Sequence, residues 1–164
     1  MKSLLLFSMT MLLFAFSVIG QNFIYKGDQP YLATNTWLFQ CEHYDYPLEV
    51  QIAKTSTGGY LRIATEVLDQ IFYIGGSAFV LLDDGSMITC TDKGVRDYVD
   101  EKSVALYSFT QAEMDRLKTM NIQTIRFSIK APKGLVGGNA GSYTAENSKY
   151  SPDQTAVEIS SLFK

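Results

Sequence analysis

The chain has one histidine, His43, and no run of basic residues anywhere in its 164 positions. A single imidazole rules out multi-histidine metal centres. A Ser–His–Asp arrangement would have to use His43, and no Gly-x-Ser-x-Gly elbow supports one. The net charge is −3, and Lys2 sits in the leading segment, so the remainder is more acidic still. That balance excludes nucleic acid as the main partner. Charged residues are also scarce for a disordered chain, at 19 % against 46 % apolar, so the chain folds. Beyond residue 20 no apolar run is long enough to cross a bilayer as a helix.

The first twenty residues are different in kind. Lys2 supplies a positive charge, and Leu4 to Ile19 is apolar apart from Ser8, Thr10 and Ser17. Small Gly20 then precedes polar Gln21 and Asn22, which is the layout of a cleavable secretory signal. An apolar run of roughly 16 residues falls short of the ~20 that a membrane anchor needs. The expectation is a signal peptide over 1–20, a single β-rich domain over 21–164, and an extracytoplasmic product, periplasmic or secreted.

Short runs of β-branched and aromatic residues, punctuated by turn signals, dominate the rest. Residues 21–35, with Gly27, Asp28 and Pro30, read as an irregular entry segment. Trp37, Phe39 and Cys41 share one side of an alternating run over 36–43. Leu48, Val50 and Ile52 oppose Glu49, Gln51 and Ala53, and Leu61 and Ile63 return after Gly58 and Gly59, a hairpin. Residues 71–74 and 78–82 are apolar on both faces, which suits strands covered on both sides. Asp83-Asp84-Gly85-Ser86 turns into a strand over 87–91, 92–102 reads as a charged loop, and 104–109 as a strand. Thr110 and Glu113 have capping-box spacing, with Met114 and Leu117 on the covered side and Arg116 on the exposed one. Ile125, Phe127 and Ile129 mark a further strand, and the glycine-rich stretch 131–150 reads as a loop. Ser151-Pro152 then opens a C-terminal helix carrying Ala156, Ile159, Leu162 and Phe163.

Parity sends Cys41 and Cys90 toward the core. In an oxidising compartment that makes one Cys41–Cys90 disulfide the expectation, with two separate buried thiols as the alternative. Closing a loop of about 50 residues would stabilise by roughly 4 kcal/mol. Cys41, His43 and Asp45 would share a face if the backbone were extended, but zinc sites ask for more His and Cys than this. Asp83 to Ser86 lacks the alternating acids and terminal Glu of a calcium loop. The glycines at 134–141 lack the Lys of a phosphate loop. No metal and no cofactor is expected.

Aromatic residues are the remaining lead. Exposed Tyr and Trp on a rigid β scaffold give large contact area at low entropic cost. The candidate binding surface comprises Trp37, His43, Tyr44, Tyr46, Tyr98 and Tyr143. The expected fold is mainly β, an antiparallel sandwich or curved sheet, with one short helix between the last strands and a C-terminal helix. The expected function is an exported, non-catalytic binding or interaction module for a protein or glycan surface. The alternative is a small extracytoplasmic hydrolase or glycan-active enzyme using carboxylates.

Overall fold

The computed structural model describes residues 21–135, 138–148 and 150–164; the segment read as an export signal, 1–20, and Gly137 lie outside them. The chain runs through β1 (Asn22–Lys26), β2 (Gln29–Ala33), β3 (Trp37–Cys41), β4 (Leu48–Thr55), β5 (Gly58–Glu66), β6 (Tyr73–Ile74) and β7 (Ala78–Leu82). It continues through β8 (Met87–Cys90), β9 (Arg96–Val99), β10 (Lys102–Thr110), α1 (Gln111–Leu117), β11 (Ile122–Lys130), β12 (Gly141–Glu146) and α2 (Thr155–Ser161). The main path of the antiparallel sheet is β8-β7-β11-β12-β3-β4-β5-β10-β9. The architecture is therefore mainly β, a curled antiparallel sheet with a short helix before its last strands and another at the C-terminus.

The curl has identifiable causes. Trp37 to Phe39 of β3 pair with β4, whereas Gln40 and Cys41 pair with β12, so one strand passes between the two halves. Short β6 pairs with β11, yet its Ile74 N–H donates to Ser103 Oγ of β10 at 2.9 Å. The Tyr107 hydroxyl of β10 donates to Gly76 O at 3.0 Å. These bonds draw the ends of the sheet together around a core that includes Phe39, Ile63, Val80 and Phe127.

The expected β4–β5 hairpin is present, with Val50 opposite Ile63 and Ile52 opposite Leu61. Its glycines serve packing as well as the turn. A Cβ on Gly59 would lie 2.3 Å from the Met114 sulfur, so glycine is what lets α1 lie against the strand. The capping box also forms, with Glu113 N–H donating to Thr110 Oγ1 at 3.3 Å and Thr110 N–H to Glu113 Oε2 at 2.7 Å.

Several expectations fail, each for a local reason. Residues 21–35 are not irregular: β1 and β2 form a hairpin through Gly27, whose φ of 59° suits a two-residue turn. This hairpin lies over the other face of the sheet, so Gln51 and Ala53 of β4 are buried rather than exposed. A small second core of Ile24, Ala33, Ala53 and Leu106 fills the space between. Within the segment read as a charged loop, β9 pairs with β10 through Asp100 and Glu101, both at positive φ without the Asn-Gly signature of such turns. The glycine-rich stretch contains β12, which joins β11 to β3. Conversely, β7 is open on one face, where Phe79 and Leu81 are half-buried.

The C-terminal helix begins at Thr155, after Gln154 rather than at Ser151-Pro152, and Leu162 and Phe163 lie past its end. Instead, the Phe163 ring lies beneath two ammonium groups, Lys54 at 4.7 Å and Lys118 at 4.5 Å.

The Cys41–Cys90 bridge is not formed; both cysteines are free. Strand order explains this. β3 and β8 are separated by β12, β11 and β7, and each inter-strand step is about 4.8 Å. Inward parity put both thiols in the core but said nothing about this lateral separation, which exceeds what a disulfide can reach. Among the described residues no helix is long and apolar enough to cross a membrane.

Candidate functional site

The six residues proposed as a binding surface do not form one. Trp37 is buried, and its indole N–H donates to Glu158 Oε2 at 2.9 Å, which docks α2 on β3. Tyr98 stands on β9, at the far end of the strand order. Tyr44, Tyr46 and Tyr143 do gather at one corner, with ring centroids 5.8 Å apart for Tyr44–Tyr46 and 4.6 Å for Tyr44–Tyr143. The polar ends of Tyr44 and Tyr143 are used internally, however. Tyr44 donates to Glu66 O at 2.5 Å and accepts from Asn139 Nδ2 at 2.6 Å, while Tyr143 donates to Asn139 O at 2.7 Å. Burial pushes the Tyr44 hydroxyl up to about 12, against the opposing effect of its Asn139 bond. The cluster latches the loop before β12 to the sheet. His43 stands beside it, exposed, with Nε2 3.6 Å from Glu42 Oε1.

Neither thiol is poised for nucleophilic chemistry. Burial pushes Cys41 up to about 11 and Cys90 up to about 12, the latter helped by the Glu113 charge. The Cys41, His43, Asp45 ladder does not exist, because β3 ends at Cys41 and His43 turns the chain at a φ of 62°. Asp84 makes a local turn, accepting from the N–H and hydroxyl of Ser86 at 2.8 and 2.5 Å, and these bonds hold its carboxyl below the usual range.

A polar groove of about 330 Å³ opens where β11 begins and β12 ends, and Asp83, Glu146 and Asp153 all line it. Much of its chemistry is committed to holding the approach to α2. Asn147 donates to Ile122 O and Asp153 O at 3.1 and 3.0 Å, and accepts from Asp153 N–H at 2.9 Å. Asn121 accepts from Ala156 N–H at 3.1 Å and donates to Asp83 Oδ2 at 3.2 Å. Burial, with the Glu158 charge beyond it, raises the Asp153 carboxyl.

The second groove, about 370 Å³, lies between β1 and β9 on the outer face of the sheet. Val104 and Leu106 of β10 supply apolar floor, while Gln51 and Arg62 lie on neighbouring strands. Five consecutive residues, Phe23 to Gly27, border it. Side chains alternate along a strand, so lining by both parities means that β1 presents its edge. Phe23 and Tyr25 are 44 % and 66 % exposed there.

Hairpin register tells which backbone groups face the groove. The two-residue turn closes on Lys26 opposite Gln29, which makes that pair and the Ile24–Tyr31 pair the bonded ones. The N–H and C=O groups of Phe23 and Tyr25 then turn away from β2. Pro30, which has no N–H, sits opposite Tyr25 as this phase requires. β1 pairs with β2 alone, and no hydrogen bond outside that pairing reaches Phe23 or Tyr25 N–H among the described residues.

The same parity on β9, counted from Val99 opposite Lys102, turns Arg96 and Tyr98 outward. There the Tyr98 N–H is already taken by Asp97 Oδ1 at 2.8 Å. None of the residues on β1 stood among the sequence candidates. Gly27-Asp28 is the signal that could have revealed the hairpin, but its mixed polar and aromatic flanks concealed it.

Comparison with protein-family models, curated proteins and solved structures finds no significant match for this chain.

Proposed function

We propose that the protein is an exported, non-catalytic interaction module that binds an extended segment of a partner protein along the free edge of β1. Export rests on the pattern of residues 1–20. The observation that carries the binding reading is the unpaired edge of β1 beside an apolar floor. Strand addition draws affinity from main-chain hydrogen bonds and specificity from alternate side chains, and this groove offers both. Exposed edges are ordinarily blunted or covered. β9 follows that rule at Tyr98, whose N–H Asp97 takes, whereas β1 leaves both the Phe23 and Tyr25 amides open.

Calorimetric titration with a neutral, blocked Thr-Val alternating heptapeptide tests this reading. Saturable binding is expected, and Tyr25→Pro should abolish it, because proline removes an outward donor that β2 does not use. Unchanged binding by a folded Tyr25→Pro variant would overturn the proposal.

The hydrolytic alternative has one observation in its favour, the three carboxyl groups lining the polar groove. It requires a proton donor beside a second carboxylate. Asp153, with its raised carboxyl, is the group that could donate, so any glycan hydrolysis should vanish in Asp153→Asn.

A further inference from the structure

The rim of the β1–β9 groove differs in charge from the chain as a whole. Lys26, Arg62 and Arg96 line it, with Asp97 as the carboxylate among its lining residues. Lys26 has no ion-pair partner among the described residues; its ammonium meets the Tyr60 hydroxyl at 3.1 Å and lies 5.0 Å from that ring. Arg62 is only partly neutralised. It lies 3.5 Å from Glu49 Oε2, but the same carboxylate holds Lys102 at 2.6 Å, so one acid serves two cations. Arg96 is paired with Asp92 and donates to Ile74 O at 2.9 Å. Asp28, Asp100 and Glu101 belong to the hairpin turns and not to the groove lining.

A groove short of negative charge, in a chain with a net charge of −3, complements an acidic ligand. A bare apolar groove would suit a lipid tail as well, but an edge of open amides and carbonyls calls for another backbone.

Resting on the strand-addition reading above, we infer that the groove selects acidic extended segments and pairs them with β1 rather than β9. The β1 edge supplies open Phe23 and Tyr25 amides, and Lys26 and Arg62 meet the carboxylates of the incoming strand. On the opposite edge Asp97 already holds Tyr98 N–H, and its charge repels an acid that approaches from that side. The occupant is thus an extended stretch alternating Asp or Glu with apolar residues, its acidic side chains turned toward Lys26 and Arg62 on the floor side and its apolar ones lying beside exposed Phe23 and Tyr25.

The test titrates the protein with two blocked heptapeptides, one alternating Glu and Val, the other Lys and Val, at low salt. Amide exchange is read at Phe23, Tyr25, Arg96 and Tyr98. The acidic peptide should bind at least about tenfold more tightly and slow exchange at Phe23 and Tyr25 alone. Lys26→Gln and Arg62→Gln should each reduce that preference, and added salt should erode it. Lys26 is exposed at a strand end, so Lys26→Gln carries the test if Arg62→Gln weakens the sheet.

Equal binding of both peptides, with Phe23 and Tyr25 protected, overturns the acidic preference and leaves the strand-addition reading standing. Protection at Arg96 and Tyr98 instead overturns the pairing with β1. No binding of either peptide overturns both. Two other outcomes also overturn the inference: the same amides slowed by anionic phospholipid vesicles and not by peptide, or slowed by raising protein concentration alone. The first assigns the groove to a membrane surface and the second to another copy of the chain.

Discussion

At the residue scale, the most informative groups are polar ones held at seams. Glu158 shows why Trp37 is not a ligand platform: its carboxylate takes the indole N–H with one oxygen and the Asn35 backbone N–H with the other. A tryptophan on an alternating strand looks the same in sequence whether its face meets a ligand or a helix, so the error was unavoidable at that level. Asp153 permits a pH experiment. Its carboxyl is raised by burial and by Glu158, so the folded state favours the protonated form more than the unfolded chain does. The linked stability is present at low pH and is lost as pH rises through the folded value. Asp153→Asn should therefore raise the melting temperature at pH 7, and the gain should shrink as pH falls into the carboxylate range. A gain that grows on acidification would contradict this assignment.

At the scale of elements, α1 shows how far local signals reach. The spacing of Thr110 and Glu113 predicts its start, and burial of Met114 and Leu117 agrees with the expected covered side. Arg116 departs from expectation. It is half-buried, and its guanidinium donates to Ser86 Oγ at 2.6 Å, tying α1 to the turn between β7 and β8. That tie is non-local and leaves no trace in helical spacing.

A seven-residue helix has little stability of its own, so packing should dominate the mutational series. Urea unfolding should show Leu117→Ala costing most, roughly 2–5 kcal/mol. Thr110→Ala should cost ~1 kcal/mol. Arg116→Ala should also cost about 1 kcal/mol, through the lost bond to Ser86. A Leu117→Ala cost below both would mean that the helix is not held by its buried face. The β1–β2 hairpin is the opposite case: Ile24 is its one fully buried strand residue besides Ala33, too little to show a period.

At the scale of the whole molecule, class and most strand positions were legible because alternation and turn residues are local; β1, β2, β9 and β12 were not. Strand order was not, since nothing in the sequence says that β12 follows β11 and meets β3, or that β6 reaches across to β10. The disulfide expectation failed at that level, and so did the binding surface, whose six members the sheet distributes among a buried seam, a tyrosine latch and a remote edge. The candidate groove was invisible for the same reason. It exists because the curl and the overlying hairpin bring β1 and β9, far apart in sequence, to opposite sides of Val104 and Leu106.

The most direct measurement of that juxtaposition is an isotope-edited NMR experiment on the protein with bound acidic peptide. Cross-strand contacts are expected between peptide backbone protons and those of Phe23 and Tyr25, as an added strand requires. Contacts confined to the polar groove at Gln123 and Gln154, with none to the backbone of β1, would contradict the account.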